Sequence, residues 1–118
     1  MIRQSGSIVV LLSALGAGCA SAQVPTEQLT QSKAAIRAAE EVGAPSQPAA
    51  ALHLKLARDQ VKAAESLIEE GDTELARMIL RRAELDAELA VALAREERLQ
   101  AEASEAVKRV QELKQKAP

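Results

Sequence analysis

One cysteine and one histidine stand among seventeen acidic residues, fifteen lysines and arginines, and no Phe, Tyr or Trp at all. A lone thiol cannot form a disulfide within its own chain, so Cys19 must serve some other chemistry or none. His53 would need a second ligand one helical turn away to hold a metal, and Ala49 and Ala57 occupy those places. The acidic pairs Glu69-Glu70 and Glu96-Glu97 are interspersed with arginine in the second case and read as solvated faces. No nucleophile–base constellation, phosphate loop or zinc spacing is present. The expectation is therefore a protein that is not an enzyme, with no catalytic residues, no cofactor, no metal and no small-molecule substrate. Without aromatic stacking platforms, and with a formal charge of −2, nucleic acid is not an expected partner either.

Cys19 does have a context. Met1–Gln4 carries Arg3, Ile8–Leu15 reads IVVLLSAL, and small residues follow. That apolar run falls short of the roughly 20 residues a membrane-spanning helix needs, and the succession is that of a secretory signal peptide. Leu15-Gly16-Ala17-Gly18 before Cys19 resembles a lipobox, although the leucine stands one place earlier than usual. Lipoprotein processing would remove residues 1–18, place diacylglycerol on the Cys19 thiol and acylate its amine. Ordinary cleavage after Ala22, at the Ala20-Ser21-Ala22 site, would instead release a soluble periplasmic protein. The isolation of the cysteine favours lipidation, and with it a palmitate-bearing anchor on the periplasmic side of the outer membrane. Ala20, rather than Asp, follows the cysteine and favours outer-membrane sorting.

The elements behind this segment are read as all-α. Residues 19–25 form a lipidated tether. Helix 1 is expected from Thr26 to Val42, stopped by Gly43 and Pro45, with Leu29, Ser32, Ile36 and Ala39 facing inward. Helix 2 is expected from a Ser46 cap to Glu70. It carries one stripe of Ala50, Leu54, Ala57, Val61, Ala64 and Ile68, and beside it a second of Leu52, Leu56, Ala63 and Leu67. Gly71-Asp72 makes a turn, with Asp72 or Thr73 as cap, and no Gly or Pro then interrupts Thr73–Ala117.

Within that last helix Met78, Leu85, Ala92, Leu99, Ala106 and Leu113 recur every seven residues, interleaved with Leu75, Arg82, Leu89, Glu96, Ala103 and Val110. This is a coiled-coil-like seam with two polar breaks. Up to Arg95 apolar residues occur nearly all round, so that half, Leu85 included, is expected in the core. Beyond Arg95–Arg98 only the seam persists, supported by Arg98–Glu102, Glu105–Arg109 and Glu112–Lys116 pairs at i,i+4. The expected organisation is a helical domain over residues 26–95 and a projecting C-terminal segment over 96–118. The whole is an antiparallel three-helix arrangement with a very long last helix. Leu99, Ala103, Ala106, Val110 and Leu113 are the candidate interaction residues, for a second copy or another envelope protein.

Residues 28 to about 95 resemble the family called domain of unknown function 4398, through Ala39, Gly43, Ala44, Pro45, Leu56, Ala57, Gly71, Asp72, Ala76, Ala83 and Ala90. The resemblance implies a short helical protein behind a lipoprotein signal. Some such proteins are joined to an outer-membrane-protein-A-like domain that binds peptidoglycan. It implies no activity and no catalytic residues. The function these readings converge on is a lipid-anchored periplasmic helical protein with a structural or interaction role. The alternative is a soluble helical binding module or chaperone.

Overall fold

The computed structural model describes residues 23–118; the signal segment, Cys19 and Ala20 lie outside the described residues. Three α-helices and one short 3₁₀ turn follow in order: α1 (Thr26–Glu41), the 3₁₀ turn (Ala44–Ser46), α2 (Pro48–Glu69) and α3 (Thr73–Lys116). Their termini follow from local chemistry. Gly43 ends the first helix at φ +89°, a left-handed conformation that costs glycine little, and Pro45 then prevents any continuation. Pro48 opens α2 in its first turn, where its missing N–H is no loss. Gly71, at φ +87°, closes α2, and the Asp72 carboxylate accepts a hydrogen bond from the Leu75 backbone N–H at 3.2 Å. Ser46 does not cap α2 as expected. Its hydroxyl donates back to the Gly43 carbonyl at 3.0 Å within the 3₁₀ turn, and Gln47 becomes the residue preceding the helix.

The helices run up, down and up. Lys33 of α1 reaches Glu65 of α2 at 2.6 Å, and Glu40 meets Arg58 at 2.5 Å, so these two are antiparallel. Ser32 of α1 meets Leu80 of α3 near its start, which makes those two parallel. At the far end the Gln47 amide, turned to donate, lies 3.0 Å from a Glu97 carboxylate oxygen. Ala94 is the last buried residue of α3, and everything from Arg95 onward is exposed. The bundle therefore ends where α2 begins, and about 30 Å of α3 projects beyond it at 1.5 Å per residue.

The core is made largely of alanine. Ala39 on α1, Ala50, Ala57 and Ala64 on α2, and Ala76, Ala83, Ala87, Ala90 and Ala94 on α3 are wholly buried, joined by Ala44. Leu54 and Leu80 are the large side chains fully enclosed with them. Small residues let helix backbones approach, and the close approach excludes water more completely than a wider gap filled by leucines. Ser32 joins α1 to the backbone of α3: its buried hydroxyl lies 2.8 Å from both the Gln28 carbonyl of its own helix and the Leu80 carbonyl of α3. Its one proton has a carbonyl acceptor in either direction, so the buried donor is satisfied.

This choice of face corrects the expected one. In α3 the buried positions are Thr73, Ala76, Leu80, Ala83, Ala87, Ala90 and Ala94. The seam of larger residues points the other way, with Leu75, Met78, Leu85 and Leu89 exposed at 36, 64, 60 and 42 %. Leu85 is not in the core. Both series repeat every seven residues, so periodicity alone fits either; the alanine-rich stripes of α2 and α3 fit one another across the bundle and the leucine series has no facing stripe. Likewise Leu52 and Leu56 on α2 stand exposed rather than meeting a second neighbour, and Leu29 is only half-buried.

Candidate functional site

The residues that could do chemistry come first. His53 on α2 and Asp86 on α3 meet across the bundle, with Nδ1 of the imidazole 3.0 Å from the carboxylate. Gln60, two turns along α2, donates to the other carboxylate oxygen at 2.8 Å. Asp86 thus ties two turns of α2 to one position of α3. Burial pushes its pKa up, but His53, Gln60 and the nearby Arg82 charge outweigh that and hold the carboxyl below its ordinary value. The sequence offers His53 no metal partner at Ala49 or Ala57 and gives no sign of this clasp, because 33 residues separate the partners and only the helix register brings them together. Nothing else converges on it: the clasp has no nucleophile and no third ligand. Among the described residues no group of three or more potential metal ligands exists. We read it as a structural tie between helices.

The grooves on the surface are equally plain. One of about 400 Å³ runs between α1 and α3, lined by Ala35, Ala38, Glu88, Val91, Ala92 and Arg95. Its lining is three alanines and a valine with two exposed charged residues. Such a shape offers a small molecule neither enclosure nor convergent hydrogen bonds.

The feature that no intramolecular packing explains is the outer face of α3. Leu99, Ala103, Ala106, Val110 and Leu113 all stand exposed on the projecting half, with Leu99, Val110 and Leu113 at 59, 51 and 68 %. The same face continues over the bundle through Leu89, Leu85, Met78 and Leu75, broken only by Glu96 and Arg82. The exposed apolar seam expected only beyond Arg95 therefore extends back to the first turn of α3. From Leu75 to Leu113 it is about 57 Å long at 1.5 Å per residue. Exposed apolar surface of this extent is unusual for a monomer and marks places where something binds. Arg82 and Glu96 are exposed on it, the two points where the stripe is charged. No helix among the described residues is long and apolar enough to cross a membrane.

Fold and face together define an all-α protein of the helical-hairpin type, packed on alanine and carrying an extended amphipathic third helix. The chain belongs to the family described as Domain of unknown function (DUF4398), which it matches over residues 27–106. The match passes Arg95 and takes in the first half of the projecting segment. No curated protein and no solved structure matches the chain.

Proposed function

We propose that this is a lipid-anchored periplasmic protein with a structural or protein-interaction role in the cell envelope, and that it is not an enzyme. The single observation that carries the interaction role is the uncovered apolar stripe along the whole of α3. The anchor reading rests on Cys19 and the apolar segment before it. Helix α1 begins at Thr26, so a chain attached at Cys19 holds its bundle within roughly 25 Å of the lipid at ~3.5 Å per extended residue. Acyl chains at ~0.8 kcal/mol per buried CH₂ make an anchor with two or more chains durable. The role is then to hold a long helical face near a membrane surface, on the periplasmic side of the outer membrane. The intact mass of the protein extracted from membranes tests the anchor. It is expected to begin at Cys19 with acyl chains attached. A product beginning at Gln23 without lipid would instead support the released, soluble binding module or chaperone that Ala20-Ser21-Ala22 permits. Given lipidation, Ala20→Asp is expected to move the protein toward the inner membrane on a density gradient.

A further inference from the structure

We propose that the stripe on α3 is covered by a second copy of this chain, packed antiparallel in one register. This inference rests on the interaction role proposed above and names its partner.

The residues flanking the stripe supply the argument. Immediately before each first residue of the repeating pairs stand Glu74, Arg81, Glu88, Arg95, Glu102 and Arg109, one every seven residues and strictly alternating in charge. All six are exposed, and Glu88 and Arg95 also line the α1–α3 groove. In an antiparallel helix pair, residues at this flanking position face their equivalents on the partner. When Glu74 faces the partner's Arg109, Arg81 faces the partner's Glu102 and Glu88 faces the partner's Arg95. By symmetry the other three pairs are also opposite in charge. A slip of one heptad in either direction sets glutamate against glutamate and arginine against arginine. The alternation therefore selects one register and works against its neighbours.

The stripe itself agrees with that register. It sets Leu75 against the partner's Ala106, Met78 against the partner's Ala103 and Leu89 against the partner's Ala92, large against small, while Arg82 meets the partner's Leu99 and Leu85 the partner's Glu96. The two charged breaks are also resolved. Arg82 lies one layer from the partner's Glu96, so each buried charge gains an opposite one. A parallel pair would instead place Arg82 on Arg82 and Glu96 on Glu96 in the centre of the seam. It would also leave the flanking positions facing Ile79, Asp86, Leu93, Gln100, Val107 and Lys114, where only Arg81 finds an opposite charge. The faces of α1 and α2 do not obstruct the pairing, because they pack on the opposite, alanine side of α3. Residues 96–108 of each projecting half then lie along residues 73–85 of the partner's α3, residues 109–116 run past its start, and the two bundles sit on opposite sides of the paired helices.

The test uses the full chain purified in detergent. Leu75→Cys and Ala106→Cys together are expected to give a disulfide-linked dimer on mild oxidation, above the background of the parent chain with its Cys19. The two positions are about 46 Å apart along one helix at 1.5 Å per residue, so they cannot bridge within a chain. Either substitution alone is expected to give no more than that background. Two charge variants sharpen the result. E74R/E88R/E102R and R81E/R95E/R109E are each expected to self-associate at least ten-fold more weakly than the parent by sedimentation. Mixed in equal amounts, they are expected to recover a 1:1 dimer. A parent chain that sediments as a monomer at about 100 µM overturns the pairing. So does a Leu75→Cys dimer as abundant as that of the double variant, which would indicate parallel helices. Either result leaves the anchor to be decided by the mass at Cys19, so the two failures are distinguishable.

Discussion

The two faces of α3 carry the same seven-residue repeat and meet opposite fates. Over Thr73–Ala94 one is alanine-rich and disappears into the bundle; the other bears Leu and Met and stays in water. The larger side chains would release more free energy per residue on burial, about 1.5–3 kcal/mol each. They are nevertheless outside, because what decides the fold is how closely three helices fit. Side-chain size sets the distance between helices, and the alanine-rich stripe of α2 sets a distance that leucines on α3 could not satisfy. The difference teaches that hydropathy ranks faces by what they could gain, whereas packing ranks them by whether a matching face exists within the chain.

Substitutions that exchange the properties of the two faces break this comparison most directly. Ala87→Asp places a carboxylate where nothing is exposed and no cation waits, and is expected to unfold the bundle at room temperature. Leu85→Asp, two residues earlier on the outer face, is expected to leave the helical circular-dichroism spectrum and the dilute-solution melt close to the parent while abolishing association. Next in size, Leu80→Ala opens a cavity in the enclosed core and is expected to cost about 2–5 kcal/mol in denaturant unfolding. Leu99→Ala, on the projecting half, should stay within about 0.5 kcal/mol under the same monomeric conditions.

Much of this is legible in the sequence. Gly43, Pro45, Gly71 and Asp72 punctuate the chain so strongly that the helix boundaries follow from them within a residue or two. Ser32, Ile36 and Ala39 on α1 and the Ala50–Ala64 stripe on α2 were also visible, since only one apolar stripe on each helix has an unbroken helical period. On α3 two stripes compete, and the heavier one draws the eye. The signal that separates them is the match between helices: alanines recur at corresponding steps on α2 and on the inner face of α3. The His53–Asp86 tie has no local signature, because it depends on the axial register of two helices joined through a turn. Residues 1–22, which hold Cys19 and Ala20, are read from sequence alone.

Smaller effects sharpen the picture of the core. Ser32→Ala removes the hydroxyl shared between Gln28 and Leu80 carbonyls, both of which keep their places in helices. It is expected to lower stability by about 1 kcal/mol without altering association. Asp86 gives a pH dependence whose sign is fixed. Its folded-state pKa lies below the unfolded value, so as pH falls the unfolded chain takes up the proton first. The tie therefore contributes at neutral pH and is lost as pH falls through about 3.9 and below. Urea midpoints across that range should decline less steeply for Asp86→Asn than for the parent. Equal slopes would show that the carboxylate is not held by His53 and Gln60.

On α3, alanines dominate the face turned inward and larger side chains the face turned outward. The most direct measurement is thermal unfolding of Ala83→Leu beside Leu85→Ala, in dilute solution where the chain is monomeric. Enlarging Ala83, which has no exposed surface, must push α3 off its neighbours and is expected to cost about 1–3 kcal/mol or more. Shrinking Leu85, which is 60 % exposed, is expected to cost less than about 0.5 kcal/mol. A Leu85→Ala variant that melts far below Ala83→Leu would contradict the account and place the leucine stripe, not the alanines, in the core.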